Sequence, residues 1–449
     1  MARRHGGAAG PPGRRRATAL TGTALARSSL LRQSVGTLGT QITVLVVGMI
    51  GGIIIARLLG PSGRGDYAIL LTISGLAYNF GNLGFGSAAS YYLNRGDIPR
   101  PRLTSTLLLL ALILSALSVG LILLLRPGKL QLLGSIPAGL VLLSIVATIP
   151  VFFSTFAARI LLGLGEIAAM NWVRIIQAVV RVFFVILLVL ILGKGLSGAV
   201  WSFLLAYGVA AVLAVAAAVS RTGWETSLDA RFIKKGFLYG LPSFVLLLGN
   251  FLNHRFDILL VKHYMNAESV GLYSVAVAWL DRLLYLPQAL GTVLYPRVAA
   301  SDGASSREMV MAGARHAVLI VAVIGGTFVA IARPFIRILY GSDFLGSVPA
   351  FYVLLPGVIF LALFQMYSVA IAADGRPGIG ATASLLAFVA NCILNVLWIP
   401  RYGIVGAGLA TTVSYGIMAL ISIYAYRKLY GAGLRQMLFI LSLIHISEP

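Results

Sequence analysis

The sequence predicts an all-α polytopic membrane protein, with about twelve transmembrane helices grouped in two six-helix lobes. Three observations predict this class: the composition, a regular succession of long apolar runs, and a repeat that relates the two halves of the chain. Of the 449 residues, 59% are apolar and only 11% are charged, and the mean hydropathy is +0.94. Soluble domains carry about 25% charged residues, so this composition excludes a water-soluble globule.

Apolar runs of about 20 residues, each long enough to cross a hydrocarbon core of about 30 Å as a helix, alternate with short polar turns. The alternation typical of a membrane β-barrel is absent from the sequence, which leaves helices as the spanning element. The predicted spans are 34–59, 67–93, 103–125, 135–163, 171–192, 197–220, 237–262, 268–296, 312–333, 350–373, 378–399 and 404–425.

The basic residues predict the orientation of these spans. The formal charge is +22, and 23 of the 35 Lys and Arg residues fall in the N-terminal segment and in every second loop, against nine on the opposite side. The positive-inside rule then places both termini in the cytoplasm of a multi-pass protein of the cytoplasmic membrane. We therefore attribute the basic balance to topology and expect no nucleic-acid partner.

The chain repeats itself at an offset of about 206–212 residues. Gly65-Asp66-Tyr67 recurs as Gly271-Leu272-Tyr273, the run 133–138 recurs as 345–350, and glycines 195 and 198 recur as 403 and 406. Three matches in order indicate a duplicated six-helix unit. Because six is even, we expect the copies to share one membrane orientation, with a site between the lobes and alternating access by rocking.

These patterns predict five segments. Residues 1–33 hold seven arginines and no acidic residue, which is typical of a disordered tail held at anionic lipid. The N-terminal lobe spans 34–220, a cytoplasmic linker 221–236, the C-terminal lobe 237–425 and a cytoplasmic tail 426–449. Residues 441–449 resemble a read-through tail, so we expect the native end to differ, with one or two further helices beyond residue 434.

Polar side chains in the N-terminal lobe are candidates for substrate binding, because polar groups at membrane depth usually face a cavity or one another. Arg174, Gln177 and Arg181 follow the spacing i, i+3, i+7 and form one stripe of a helix. Asn79 and Asn82 lie in the second span. The alternative is snorkelling to the cytoplasmic face for Arg174, and hydrogen bonding between helices for the two asparagines.

The C-terminal lobe offers a second set of candidates. Asn250, Asn253 and Asp257 share a helical face, and Arg255 points about 150° away from that face. We predict substrate binding for the two asparagines and Arg255, with a structural ion pair as the alternative for Arg255. Asp257 and Asp281 are the carboxylates expected within the spans, and we predict that they couple transport to a proton or cation gradient, or to the membrane potential. The alternative for Asp257 is a permanent ion pair with Arg255 or Arg282 that only holds the lobe together.

Signals of an enzyme are missing from the sequence. Five His and one Cys give no zinc spacing, and no glycine-rich loop ends in Gly-Lys-Ser/Thr. The predicted external connections are too short for the catalytic loop that a membrane glycan polymerase or ligase needs. We therefore predict no catalytic residue, no metal site and no cofactor other than a coupling ion.

Two stretches carry a resemblance to a known family. The first, residues 56–67, reads Ala-Arg-Leu-Leu-Gly-Pro-Ser-Gly-Arg-Gly-Asp-Tyr and resembles the first-loop signature of bacterial polysaccharide flippases. The second contains Asn253-His-Arg255-Phe-Asp257, followed by residues 270–276 and Leu286-Pro287, and resembles the start of the second half of that family. The resemblance covers about residues 30–430 and indicates the multidrug/oligosaccharidyl-lipid/polysaccharide exporter superfamily.

The resemblance implies a V-shaped fold of two lobes, a cationic cavity and a non-enzymatic function. Such a flippase moves undecaprenyl-diphosphate-linked oligosaccharide across the cytoplasmic membrane, so the implied partners are the lipid-linked oligosaccharide, membrane lipids and glycan-assembly proteins. Two alternatives stay open: a drug or cation antiporter of the same superfamily, which favours an acidic cavity, and a non-transporting scaffold of glycan assembly, which needs no charge within its spans.

Overall fold

The computed structural model of the chain describes residues 12–431, apart from 125–132, 135, 300 and 302. The described residues form thirteen α-helices, with a π-helical turn after α6 and a 3-10 helix before α12. The helices are α1 (Pro12–Gly81), α2 (Phe85–Arg95), α3 (Arg100–Leu124), α4 (Ala138–Val146), α5 (Thr148–Gly163), α6 (Ile167–Val185), α7 (Gly195–Thr222), α8 (Ala230–Tyr264), α9 (Ala267–Leu283), α10 (Tyr285–Ala299), α11 (Gly303–Leu339), α12 (Val348–Ala373) and α13 (Gly378–Tyr430).

The longest helix, α1, contains a break that divides it into two membrane crossings. Its 70 residues would extend about 105 Å as a straight helix, more than three times the hydrocarbon thickness. Gly60 interrupts the helical dihedrals with φ 65° and ψ −178°, and Pro61 follows it. Glycine adopts this positive φ without a Cβ penalty, so the chain turns there between the first two predicted spans.

Helix α13 folds back on itself in the same way. The Asn391 Nδ2 lies 3.5 Å from the Thr411 Oγ1, although twenty residues of straight helix would separate these positions by about 30 Å. The reversal occurs at Gly403, which has φ 60° and ψ −139°. Residues 378–430 are therefore a helical hairpin that supplies the last two predicted spans.

The sequence repeat corresponds to a repeated turn. Gly195, which opens α7, has φ 51°, and its counterpart Gly403 has φ 60°. Three residues later, a Cβ added to Gly198 would lie 2.9 Å from the Leu188 carbonyl oxygen, and one added to Gly406 would lie 2.3 Å from that of Trp398. Both halves of the chain thus use one glycine to turn and a second glycine to pack the following helix against the preceding one.

Three predicted spans are less continuous than expected. The span 67–93 is interrupted where Leu83 and Gly84 adopt positive φ values of 47° and 79°. The span 135–163 divides at Ala147 and the span 268–296 at Leu284. Pro287 lies in the first turn of α10, where proline costs no helical hydrogen bond.

Ten stretches of the described residues are helical, long and apolar enough to cross a membrane. Two of them, Gly36–Gly81 and Gly378–Tyr430, contain the breaks at Gly60 and Gly403, so the structure accommodates the twelve predicted crossings. The all-helical membrane fold class is confirmed.

The N-terminal segment differs from the expected disordered tail, because α1 begins at Pro12. Ala, Arg and Leu, which favour helix, are frequent over residues 14–32, and proline is favoured at the start of a helix. Residues 1–11 of the predicted tail and residues 432–449 of the C-terminal tail lie outside the described residues. The predicted boundaries of the segments stay a prediction.

The connection between the two halves is fastened to α3. Arg102 donates to the Glu225 carboxylate at 2.8 Å, and the backbone N–H groups of Glu225 and Asp229 donate to Ser105 and Thr106. The hydrogen bonds from Arg102 and Ser227 hold the pKa of Glu225 below its usual range. A depressed carboxyl pKa stabilises the folded state above the ordinary pKa of glutamate, and that contribution is lost as the pH falls.

Helix α8 joins the hydrophobic cores of both halves. At its start, Phe232 is buried beside Phe85 of α2, with ring centroids 6.3 Å apart. Nearer its end, Ile258 and Val261 belong to the core that contains α9, α12 and α13. One continuous helix therefore packs into both hydrophobic cores.

We expect Gly406→Ala to destabilise the protein by about 2 kcal/mol, because a methyl group there overlaps the Trp398 carbonyl. The matched control is Gly416→Ala on the same helix, where the nearest atom is in the Phe360 ring, 3.6 Å away. Thermal unfolding of the two purified variants measures the difference. Equal melting temperatures would contradict the packing of this hairpin.

Candidate functional site

The two halves of the chain meet where the second segment of α1 begins and where α9 begins. A Cβ added to Gly65 would lie 1.8 Å from the Ala267 carbonyl oxygen, and one added to Gly271 would lie 1.8 Å from that of Pro61. Pro61 and Ala267 are 206 residues apart, as are Gly65 and Gly271. The contact therefore pairs equivalent positions of the repeat, and only glycine permits so close an approach of the two backbones.

Two polar contacts reinforce the same end of the interface. Arg57 donates to the carbonyl oxygens of Ile338 and Leu339 at the end of α11, where backbone carbonyls lack helical partners. The Lys262 Nζ lies 3.5 Å from an Asp66 carboxylate oxygen, and both side chains are largely buried. We call this set of contacts the interface seal.

A cavity of about 190 Å³ lies next to the seal, between α1, α8 and α9. Arg64 and Arg255 both line it. The Arg64 Nε is buried without a hydrogen-bond partner, and none of the ion pairs found in the described residues involves Arg64. An unpartnered buried polar group is unfavourable, and the positive charge of Arg64 makes the cavity chemically suited to an anion.

Two further arginines lie within electrostatic range of Arg64. Arg181 donates to the Tyr67 hydroxyl at 2.7 Å and lies over the Phe203 ring at 5.6 Å. Arg282 donates to the Ala278 carbonyl and lies over the Trp279 ring at 5.0 Å. Neither is neutralised by a carboxylate among the described residues, so the positive potential of the cavity extends over several residues.

The predicted ion pair of Arg255 forms with Asp281, at 2.9 Å between Nη2 and Oδ2. Asp281 and its neighbour Arg282 have different partners, as adjacent positions on a helix require. The ion pair holds the Arg255 guanidinium between α8 and α9. Arg255 also lines the cavity.

Asp257 has another environment within the same helix. Its carboxylate accepts hydrogen bonds from the Tyr273 hydroxyl at 2.5 Å and the Ile258 N–H at 2.8 Å, and the Thr411 Oγ1 lies 3.4 Å away. Nearby, the Asn395 Nδ2 donates to the Asn391 Oδ1 at 2.8 Å, while the Asn395 Oδ1 is buried without a partner. Asp257 thus belongs to a buried cluster of oxygen-bearing side chains, which we call the Asp257 cluster.

The profile of the family described as polysaccharide biosynthesis protein matches residues 54–349. The chain belongs to this family.

Similar proteins agree with that assignment. A probable low-salt glycan biosynthesis flippase of Haloferax volcanii is 23% identical over 81% of this chain and 76% of its own length. The solved structure of a lipid II flippase in an inward closed conformation has a TM-score of 0.74 at 16% identity, covering 93% of this chain and 94% of that one. An inward-facing multidrug resistance transporter of the MATE family, in the MOP superfamily, has a TM-score of 0.71 at 15% identity. The match covers 90% of this chain and 96% of that one.

These comparisons confirm two predictions for this polysaccharide biosynthesis protein. The V-shaped exporter fold of two lobes is the fold of the similar structures. The similar proteins with a printed function are a probable flippase, a lipid II flippase and a multidrug transporter rather than enzymes, which agrees with the prediction of a non-enzymatic function. Among the described residues, no group of three His, Cys, Asp or Glu side chains is arranged to hold a metal ion.

The remaining candidate residues of the N-terminal lobe lie apart from the cavity lining. Arg174 is exposed, and Gln177 is partly buried between it and Arg181 on α6. Asn79 donates to the Gly75 carbonyl at 2.9 Å, and the Asn82 Oδ1 accepts from the Gly86 N–H at 3.4 Å. These local bonds account for the two asparagines without a ligand, and a substrate role for the stripe on α6 stays a prediction.

The remaining candidates of the C-terminal lobe face its interior. Asn253 is almost fully buried and donates to the Ser384 carbonyl at 2.8 Å. Asn250 accepts from the Ser384 hydroxyl at 3.2 Å and lines a second, larger cavity. Arg255 points elsewhere, because it lines the cavity between the lobes, where neither Asn250 nor Asn253 is among the lining residues.

Sequence reasoning missed Arg64, because its position next to Gly60-Pro61 assigned it to an external loop. It also missed the tyrosines that hold Arg181 and Asp257. The repeat carried a signal for them: Tyr67 and Tyr273 are equivalent residues, both fully buried, and each binds a charged side chain of its own lobe.

We expect Gly65→Leu to open the seal, because the side chain would overlap the Ala267 carbonyl while leaving the interior of each lobe unchanged. Spin labels are placed at the exposed positions 62 and 268, with Cys392 replaced by serine. Double electron–electron resonance should then give a longer and broader distribution of the distance between the two labels. The control is Gly52→Ala, which meets no atom within 4 Å. An unchanged distribution in Gly65→Leu would refute the seal.

Proposed function

We propose that this chain flips a polyprenyl-diphosphate-linked oligosaccharide, such as an undecaprenyl-diphosphate-linked precursor of a cell-surface glycan, across the cytoplasmic membrane. The observation that carries the proposal is Arg64, a guanidinium with an unpartnered Nε in a cavity between the lobes. A diphosphate supplies the acceptor oxygens that such a group lacks, and arginine binds phosphate in bidentate geometry.

The charge around the cavity supports an anionic substrate. Arg64 and Arg255 line it, Arg181 and Arg282 lie within electrostatic range of Arg64, and Asp281 neutralises Arg255. The diphosphate would bind these guanidinium groups, the sugars would occupy a hydrated space between the lobes, and the polyprenyl tail would stay in the bilayer. No covalent chemistry is required.

The comparisons support the same substrate class. The relative from Haloferax volcanii is named a glycan biosynthesis flippase, and the similar structure at TM-score 0.74 is named a lipid II flippase. Together with the family of polysaccharide biosynthesis proteins, these names favour a lipid-linked glycan as the substrate. Membrane lipids and glycan-assembly proteins would be the other partners.

The seal supports alternating access. It closes one end of the interface, and the basic loops predict that this end faces outward, with both termini in the cytoplasm. The substrate would then enter from the cytoplasmic leaflet while the seal is closed. Rocking of the lobes would separate Gly65 from Gly271 and release the substrate on the other face.

The alternatives fit the cavity less well. A drug or cation antiporter favours acidic residues in its cavity, whereas arginines outnumber carboxylates here. A non-transporting scaffold has no use for an unpartnered arginine at the interface, where it costs stability.

We further propose the Asp257 cluster as the site of the coupling ion. Its groups are oxygens of Asp257, Thr411, Asn391 and Asn395, and the Asn395 Oδ1 is free of hydrogen bonds. Oxygen ligands suit hard cations such as Na⁺, and a carboxylate at this depth could alternatively take up a proton. Asp281 is the weaker of the two predicted coupling residues, because Arg255 already neutralises it.

We expect Arg64→Gln to weaken binding of undecaprenyl diphosphate by roughly 30-fold, since a charged hydrogen bond contributes about 2 kcal/mol. Arg64→Lys should restore part of the affinity, because an ammonium lacks the planar fork. Arg401→Gln is the control, because that arginine is exposed next to the reversal of α13 at Gly403. Binding to purified protein in lipid nanodiscs measures the effect, and undiminished affinity in Arg64→Gln would overturn the proposed anion site.

We expect NaCl, compared with choline chloride, to raise the melting temperature of the wild-type protein, because a ligand bound only to the folded state stabilises it. Asp257→Asn should lose this increase, and the exposed Asp374→Asn should keep it. Asp257→Asn should also bind the lipid-linked glycan yet fail to export it under a gradient. If Asp257→Asn exports normally, the cluster is structural.

A further inference from the structure

A second cavity lies in the C-terminal lobe, separate from the arginine-lined cavity. It measures about 480 Å³, is open on one side and is lined by residues of α8, α10, α12 and the start of α13. This volume falls in the range of about 300–1,000 Å³ that is typical of small-ligand sites. We call it the C-lobe chamber.

The chamber has no charged side chain among its lining residues. Most of its lining surface is apolar. Amides and hydroxyls supply the polar part, from Asn250, Gln288, Thr292, Gln365 and Ser368, and Phe364 and Tyr295 supply aromatic surface. Amides and hydroxyls both donate and accept hydrogen bonds, which matches the hydroxyl groups of a sugar. Aromatic faces match the C–H faces of sugar rings.

One polar group in the chamber lacks a partner. The Gln365 Oε1 is buried without a hydrogen bond, and its side chain lines the chamber near mid-helix in α12. An unsatisfied buried acceptor is unfavourable unless a ligand or water donates to it. A sugar hydroxyl can donate to this oxygen once the Gln365 side chain turns toward the chamber, whereas the hydrocarbon of a lipid tail cannot.

The chamber opens away from the seal. Ala372, Pro377 and Gly380, at the adjoining ends of α12 and α13, form its outer part. Gln365 lies seven residues further into α12, about 10 Å deeper. These ends are on the side that the basic loops predict to be cytoplasmic, and the seal lies at the opposite ends of the helices.

We propose that the C-lobe chamber binds the neutral sugars of the lipid-linked oligosaccharide, while the arginines between the lobes bind its diphosphate. This inference rests on the proposed flippase function and assigns the glycan to a second site. The uncharged lining selects neutral sugars, because an acidic sugar would be buried without a cationic partner.

The test compares two probes bound to the full chain in lipid nanodiscs: undecaprenyl diphosphate alone, and the same lipid carrying a neutral hexose trisaccharide. We expect the wild-type protein to bind the trisaccharide lipid more tightly. Gln365→Leu and, independently, the exposed Gln288→Leu should weaken binding of the trisaccharide lipid about tenfold and leave the bare lipid within about twofold. Thr327→Val, whose hydroxyl bonds only to its own helix in α11, is the control.

The outcomes separate the two proposals. Wild-type protein that binds neither lipid would overturn the flippase proposal and the chamber with it. Equal affinity for both lipids, or folded variants that bind the trisaccharide lipid normally, would overturn the chamber alone. Variants that weaken both lipids equally would assign the chamber to the polyprenyl tail and also overturn its role in sugar binding.

Discussion

The arrangement of the interface depends on the close backbone contact of Gly65 with Ala267 and of Gly271 with Pro61. Because the contact pairs equivalent positions of the repeat, it brings the two lobes together about one local axis. Asp66, Lys262 and Arg57 add polar contacts at that end. An approach this close excludes side chains, so the contact holds only while both glycines are in register, which suits a surface that must separate and close again.

The seal also determines where charge can be placed. Arginine in a membrane interior needs a carboxylate, an aromatic face, a backbone carbonyl or a hydrated cavity. Arg255 pairs with the Asp281 carboxylate. Arg282 lies over the Trp279 ring and donates to the Ala278 carbonyl, and Arg181 donates to the Tyr67 hydroxyl and lies over the Phe203 ring. Arg64 has only its position over Tyr67 and the cavity. This difference, more than the number of arginines, distinguishes an anion site from structural charge.

Helix α8 relates the three polar regions to one another. Arg255 faces the cavity between the lobes, Asp257 lies in its buried cluster, and Asn250 faces the C-lobe chamber. These residues lie within about two turns of one helix. A change in the position of α8 would therefore move an anion ligand, a carboxylate and the chamber wall together, which provides a physical route for coupling between them.

The sequence by itself determined the fold class, the approximate spans and the duplicated halves, because a bilayer requires apolar runs of fixed length whatever their neighbours. It also determined which residues of α8 share a face, since the helical period is local. Only the tertiary structure decided the partners: Asp257 with Tyr273 and Thr411, Arg181 with Tyr67, and Arg64 with no hydrogen bond or ion pair among the described residues. Periodicity gives the face of a helix, but the rotation and approach of its neighbour are set by packing over hundreds of residues, at glycines such as Gly65 and Gly406.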